Sequence, residues 1–401
     1  MSEGTEINTG TTNPKKNCLI LFKNDQWNCH FIIEKINTVF TVHSIFTKPV
    51  FYKKGSTGIL ELIKKTIEEN CIEVIFLDLD WAPFVDAAIL NNIPGNVIKV
   101  LITLDDIVMH DINVVHASLC DLILSADPVS VLKYREKGIC AEYMPLESST
   151  RMYYPLNICK DIDVLFYGDI EKIGRRQYID HLIKSGINIR VIAGPGDFVS
   201  HEELINLINR AKIVLNLSRT RDFQSYREMF GKSSRDLDLV YLQLKGRIFE
   251  AALCRTVCIS EYCPALDLLF LPEEVPTFTT KEECVRLITL FLGNERLRDN
   301  TALAIYQKVI NTYENSVFMP GISRMIDELT IKPKPIVTNH YYKSFVTLFK
   351  LKHAVVNPGL VPGEMIYLYK NKLLSIGAIF NNASLIMRVA IRQFLKHNGK
   401  N

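Results

Sequence analysis

The sequence lacks any run approaching the roughly 18 unbroken apolar residues that a bilayer-crossing helix needs, which excludes a spanning helix but not attachment to a surface. It also lacks C-x-x-C spacing, and ten cysteines in 401 residues are too sparse for a disulfide scaffold. Reduced, mostly buried thiols and a cytoplasmic protein are expected. Met1 to Asn17 has no apolar run of the signal-peptide kind and reads as a loose leader rich in Ser, Thr, Asn and Gly. Acidic residues are nearly missing from one region. Ile331 to Asn401 holds 11 Lys or Arg against the single acid Glu364, a net charge of +10, and residues 1–330 carry −7. The overall +3 therefore hides a basic tail. With 48% hydrophobic and 23% charged residues, disorder is excluded as the main state, and the length predicts two or three domains.

What is present alternates. Apolar runs at Asn17–Phe22, Glu73–Asp78, Val97–Thr103 and Leu119–Ser125 are interleaved with amphipathic stretches such as Gly58–Asn70 and Val129–Lys137. Short continuous apolar runs followed by helices predict parallel strands buried on both faces. The pattern turns irregular from Met144 to Lys160 and restarts at Ile162–Tyr167. It then continues through Arg176–Lys184, Asn188–Ala193, Glu202–Ala211, Lys212–Leu217, Leu244–Leu253 and Thr256–Ser260 to helices ending at Tyr313. The expected fold class is α/β, with two doubly wound Rossmann-like domains, 18–158 and 159–330, facing a cleft. The leader 1–17 precedes them and a basic helical tail, 331–401, follows. Open α/β sheets bind ligands at the carboxyl ends of their strands, which here line the cleft.

Lys245-Gly-Arg-Ile-Phe-Glu250 is the string richest in chemistry. Gly246 permits close backbone approach, while Lys245 and Arg247 place two cations at a helix start, a corner suited to a diphosphate. Glu250 shares the face of Arg247 and offers an acceptor for a ribose diol, although the two also fit a solvated i, i+3 ion pair. Gly168 ends a strand, and Lys172, Arg175 and Arg176 follow it, either as a phosphate-approach loop or as a plain basic helix start. Gly194-Pro-Gly196 reads as a tight turn without G-x-G-x-x-G spacing. In the first domain Asp105, Asp106 and His110 follow a strand, where a carboxylate or imidazole can take the proton of an acceptor hydroxyl; a helix cap is the other reading. Asp78 and Asp80 rank behind them.

The run Leu244 to Glu261, followed by Pro264, Leu266, Phe270 to Pro272 and Thr277 to Thr280, resembles the C-terminal half of CgeB-like glycosyltransferases of the GT-B superfamily. Val164 to Gly168 with Arg175 and Arg176, and further back Leu104-Asp-Asp106 and Tyr134 to Gly138, are similar to other stretches of that family. The resemblance implies a nucleotide-sugar donor on the second domain, with Arg247 and Lys245 on the diphosphate and Glu250 on the ribose. Leu242 stands where many retaining GT-B enzymes have a second glutamate.

No cofactor beyond the nucleoside diphosphate sugar is expected. Cys254, Cys258 and Cys263 read as buried structural thiols, and the Asp-x-Asp pairs at Asp78–Asp80, Asp161–Asp163 and Asp236–Asp238 are not expected to hold a metal, because the basic residues can neutralise the leaving group. The acceptor side expects a glycan, lipid or protein hydroxyl. A non-catalytic nucleotide-sugar-binding protein and an epimerase of the same architecture remain as alternatives. In the tail, Met365–Phe380 is expected to pack on the body. Ala383–His397 forms a cationic amphipathic pattern suited to an anionic membrane surface, and nucleic acid is not an expected partner.

Overall fold

The computed structural model describes residues 15–25, 27–78, 84–145, 147–172, 174–193, 199–221, 240–331, 334 and 338–381. Residues 1–14 of the leader, the Gly194-Pro-Gly196 turn, Asp80, Asp236 to Asp238 and the whole of Ala383–His397 lie outside them.

The first sheet has six strands, β1 (Asn17–Phe22), β2 (Thr41–Phe46), β3 (Val74–Asp78), β4 (Ile98–Thr103), β5 (Leu122–Ser125) and β6 (Ala141–Tyr143). Their order is β2-β1-β3-β4-β5-β6, and every pairing is parallel. Central strands such as β3 are buried at every residue, which is why they read as unbroken apolar runs. The second sheet joins β7 (Ile162–Tyr167), β8 (Ile189–Ile192), β9 (Ala211–Asn216), β12 (Val257–Glu261) and β13 (Thr277–Phe278) in the order β13-β12-β9-β7-β8, again parallel. Between them β10 (Arg219–Arg221) and β11 (Val240–Leu242) form a small antiparallel pair. Both large sheets are doubly wound. In each, the chain steps outward one way and then reverses, at β1/β3 in the first and β7/β9 in the second, so each has a crevice at its reversal point.

Local chemistry sets the element ends. Asp127 accepts from the Ser130 amide at 3.0 Å to cap the Pro128–Glu136 helix, and Thr280 with Glu283 forms a reciprocal capping box on Lys281–Gly293. The helix expected from Gly58 begins earlier, at Thr47, because Thr47–Glu69 is two helices joined across Gly55, whose φ is 65°. That left-handed turn brings Gly55 against the Glu364 carboxylate, where a Cβ would collide with Oε1.

After the second sheet the chain returns to the first. Helix Asn315–Asp327 packs against helix Trp27–Asn37, and helix His340–Ala354 packs against Asp106–Ala117 and Thr47–Glu69. The basic segment, set apart by charge in the sequence, is thus joined to the first domain over its described residues. Lys350 is fully buried and ion-pairs with the equally buried Asp86, which also caps helix Ala87–Asn91 by accepting from the Ala88 and Ile89 amides. Lys350 donates to the Ser56 hydroxyl at 2.6 Å, and Ser56 donates its amide and hydroxyl to Glu364 at 2.6 and 2.8 Å. Tyr367 donates to Asp86 at 2.9 Å. The buried charges are paired and hydrogen-bonded, the condition under which a protein interior tolerates them.

Candidate functional site

Arg247 opens helix Arg247–Leu253 and reaches back across the carboxyl ends of the two strands that flank the second sheet's reversal point. Its Nε donates to the carbonyl of Tyr167, the last residue of β7, at 2.5 Å, and a terminal nitrogen donates to Asn216 Oδ1, at the end of β9, at 3.3 Å. The guanidinium stacks on Phe166 and Tyr167, with centroids 5.6 and 5.3 Å away. Gly168 lies directly beneath it with φ 120°, and a Cβ there would fall on the guanidinium. Glycine is required at this position on both counts.

Lys172 and Lys245 lie in the same electrostatic neighbourhood. Burial pushes the Lys245 ammonium down to about 7; Asp105 opposes the shift, and Lys172, Arg175 and Arg247 add to it. Lys172 is lowered chiefly by burial and then by Arg175. A cluster of cations that depress one another's charge is prepared for an anion. Arg175 belongs to this field but not to its open face. It is 1% exposed and spends its guanidinium on the carbonyls of Asp169, Leu217 and Arg219 at 2.9, 3.1 and 2.9 Å, so the direct phosphate contact expected of it is replaced by a role in holding loop ends together.

The two domains meet at Gln243. Its amide donates to the Leu104 carbonyl at 3.2 Å and to Asp105 Oδ1 at 2.9 Å, while its oxygen accepts from Lys245 at 2.5 Å. Asp105 is therefore placed opposite the cations. Asp106 is not. It is fully buried and accepts from Tyr134 at 2.6 Å, Asn113 at 2.7 Å and His110 Nδ1 at 2.9 Å. Burial raises its pKa and these bonds outweigh that, leaving it below the ordinary value. A carboxylate so satisfied is unsuited to take a proton itself, which corrects the expectation of a direct base. What it does is orient His110, whose other nitrogen, Nε2, is buried without a hydrogen-bond partner among the described residues.

Glu250 also differs from expectation. It is 5% exposed and accepts from the Tyr167 hydroxyl at 2.5 Å, so it is engaged inside the domain rather than presented to a ribose diol, and it makes no i, i+3 pair with Arg247. Burial raises its pKa, and burial together with Glu250 pushes Glu147 up to about 8. Glu147 rests against Gly246, which a side chain would displace. Sequence reasoning missed Glu147, which lies in the irregular linker with no periodicity to mark it. It also missed Asn216, for which a polar residue closing an apolar strand was the available signal. Cys254, Cys258 and Cys263 are buried free thiols, and among the described residues no group of three or more His, Cys, Asp or Glu is placed to hold a metal ion.

Residues 164–318, which include Gly168, Asn216, Lys245 and Arg247, match the model of a family described as glycosyl transferase-like. Three solved structures are similar to about four fifths of the chain. Sucrose-phosphate synthase from Thermosynechococcus elongatus superposes with a TM-score of 0.54 at 11% identity, over 78% of this chain and 99% of that one. HepE from Anabaena, in complex with UDP and glucose, gives 0.54 at 10% identity over 78% and 100%. A glycosyltransferase from Rickettsia africae gives 0.53 at 10% identity over 78% and 98%. The fold is GT-B. No curated protein matches the chain. In this GT-B frame the Arg247 crevice belongs to the domain that the family match covers, and His110 and Asp105 belong to the domain across the cleft.

Lys245 provides a pH test of the site. With its pKa near 7 in the free protein, it is charged below that value and neutral above it, and a bound diphosphate would restore the charge. Affinity for a nucleoside diphosphate should fall by up to about tenfold per pH unit above pH 7.5, with proton uptake on binding. Calorimetric titration in two buffers of different ionisation enthalpy measures both. Lys245→Met should flatten the profile, and a wild-type profile already flat would show that Lys245 does not meet a bound diphosphate.

Proposed function

We propose that the protein is a CgeB-like, metal-independent glycosyltransferase that moves a hexose-type unit from a nucleoside diphosphate sugar to a hydroxyl of a glycan, lipid or protein acceptor. The observation that carries this reading is the Arg247 guanidinium, fixed across the ends of β7 and β9 at the reversal point of a glycosyl transferase-like domain. The diphosphate lies over Gly168, held by Arg247, Lys245 and Lys172. HepE has been seen with UDP and glucose, which supports a uridine nucleotide as the first donor to try. Once acceptor binding uncovers it, His110 Nε2 takes the proton of the acceptor hydroxyl, and Asp106 holds the ring and stabilises the imidazolium that results. As the acceptor oxygen bonds to the anomeric carbon, the bond from that carbon to the diphosphate oxygen breaks. Its electron pair stays on the diphosphate, where the cations neutralise it. Gln243, bonded to both domains, lies where closure would align donor and acceptor and exclude water.

Two observations favour the rival reading, a nucleotide-sugar-binding protein without catalysis. The side chain of Leu242 offers a donor sugar no hydrogen bond, and Glu250 is already engaged.

The deciding experiment measures acceptor-dependent release of nucleoside diphosphate over a panel of nucleotide sugars. Turnover is expected, and His110→Ala should lower it about a hundredfold or more while nucleotide affinity stays within about twofold. Binding without release selects the scaffold reading, interconversion of the sugar without acceptor selects an epimerase, and full activity in His110→Ala places the base elsewhere.

A further inference from the structure

The basic segment is anchored by burying its only acid. Glu364 is 3% exposed, held by Ser56, so the described surface of residues 338–381 shows no carboxylate to solvent. What it does show is three exposed lysines, Lys352, Lys370 and Lys372, together with large apolar side chains. On helix Val361–Lys370, Ile366 and Tyr369 are 55% and 74% exposed and lie three residues apart, with Lys370 next in the same row. On helix Ile376–Asn381, Ile376 and Phe380 are 61% and 76% exposed and lie four apart. These spacings put each pair on one outer helix face. Both helices pack on His340–Ala354, and the inward positions Leu368, Leu373 and Ala378 are buried, so the exposed residues are surplus to the core.

The positive charge continues onto the first domain. His353 lies against Tyr52, and Lys23, Lys48 and Lys352 act on it together, placing three lysines around one edge of the body. Lys53 and Lys54, on the same turn as Tyr52, are exposed as well. Isolated surface apolar residues are ordinary, but four large ones on two consecutive helices, in a basic segment whose one acid is buried, match the chemistry of an anionic lipid interface.

We propose that the exposed Ile366, Tyr369, Ile376 and Phe380, together with Lys352, Lys370, Lys372 and the lysines of residues 48–54, act as one face that docks reversibly on an anionic phospholipid bilayer. The aromatic and aliphatic side chains enter the headgroup region and the lysines pair with lipid phosphates. The face lies on the domain that carries His110, and the proposal stands whether or not that residue is the base.

The test uses the full chain and vesicles of phosphatidylcholine alone or mixed with phosphatidylglycerol. Co-sedimentation should occur with the mixed vesicles, weaken as salt is raised, and be absent with the neutral ones. Replacing Ile366, Tyr369, Ile376 and Phe380 by Ser together should lower the partition coefficient about tenfold or more with an unchanged melting temperature, since all four are exposed. Lys53→Glu with Lys54→Glu and Lys352→Glu should do the same through charge, and this set decides the matter if the serine variant fails to fold. Binding unaltered in the folded variants, equal binding to both vesicle types, or binding to polyanionic nucleic acid but not to vesicles would overturn the proposal. So would a lack of vesicle binding by wild type accompanied by increased apolar dye binding on removal of residues 382–401, because that would make the chain's own end the cover.

Discussion

Arg247→Lys should lower acceptor-dependent nucleoside diphosphate release by about a hundredfold, even though the charge is kept. The guanidinium donates in two directions at once, from Nε to the Tyr167 carbonyl and from a terminal nitrogen to Asn216, and this fixes its plane against Gly168. An ammonium on a flexible stem cannot span both strand ends while addressing a phosphate. Gly168→Ala should give a comparable loss by another route, since its φ of 120° is unfavourable for an L side chain and the added methyl would push the guanidinium aside. Initial rates, with melting temperature as the control for folding, check both. Wild-type kcat/KM in Arg247→Lys would end the assignment of the diphosphate to this crevice.

Lys350→Met should be the most destabilising single change in the basic segment, costing about 3–5 kcal/mol in denaturant unfolding. It leaves Asp86 buried with the Ala88 and Ile89 amides and the Tyr367 hydroxyl but no counter-charge, and it strips Ser56 of a donor. Adding Asp86→Asn should recover part of the loss, because asparagine caps a helix nearly as well as aspartate and carries no charge to strand. A cost for Lys350→Met under about 1 kcal/mol would mean that the pair is not shielded from water as its burial implies.

The two predictions separate what the sequence displays from what it conceals. Strands β1 and β7 have the ends expected from their apolar runs, since parallel strands covered on both faces cannot hide their pattern. β2 was not anticipated because it is an edge strand whose burial is partial and mixed, and its alternation is weak. Helix Asn315–Asp327, beyond the last helix expected before the tail, carries Pro320 and Gly321, both unfavourable in a helix interior, and contacts with its neighbours hold it. Met365–Phe380, expected as one segment, is divided at Lys372, which adopts φ 56°. Gly168, Lys245 and Arg247, singled out by residue type and spacing, come together in the structure at the end of β7. Asp106, Arg175 and Glu250 stand out in the sequence only as polar groups at element ends; periodicity says nothing about which face of a loop turns inward, and all three turn in. Lys350 was misleading for the same reason, because net charge counts a buried lysine as if it were on the surface.

The chain passes between the domains twice, at the linker after β6 and again before helix Asn315–Asp327, and the two passages are fastened together. Thr150 donates to Glu314 at 3.2 Å, Ser148 to Asn315 at 3.2 Å, and the buried Lys35 donates to both Ser148 and Asn315 at 2.6 Å. Two parallel attachments bound at one point remove sliding and leave rotation about the line that joins them, so one degree of freedom would dominate any opening of the cleft. A protease nick in either passage should therefore leave the halves associated and convert the hinge into a swivel, with donor affinity preserved on the second domain and turnover lost because the halves no longer return to register.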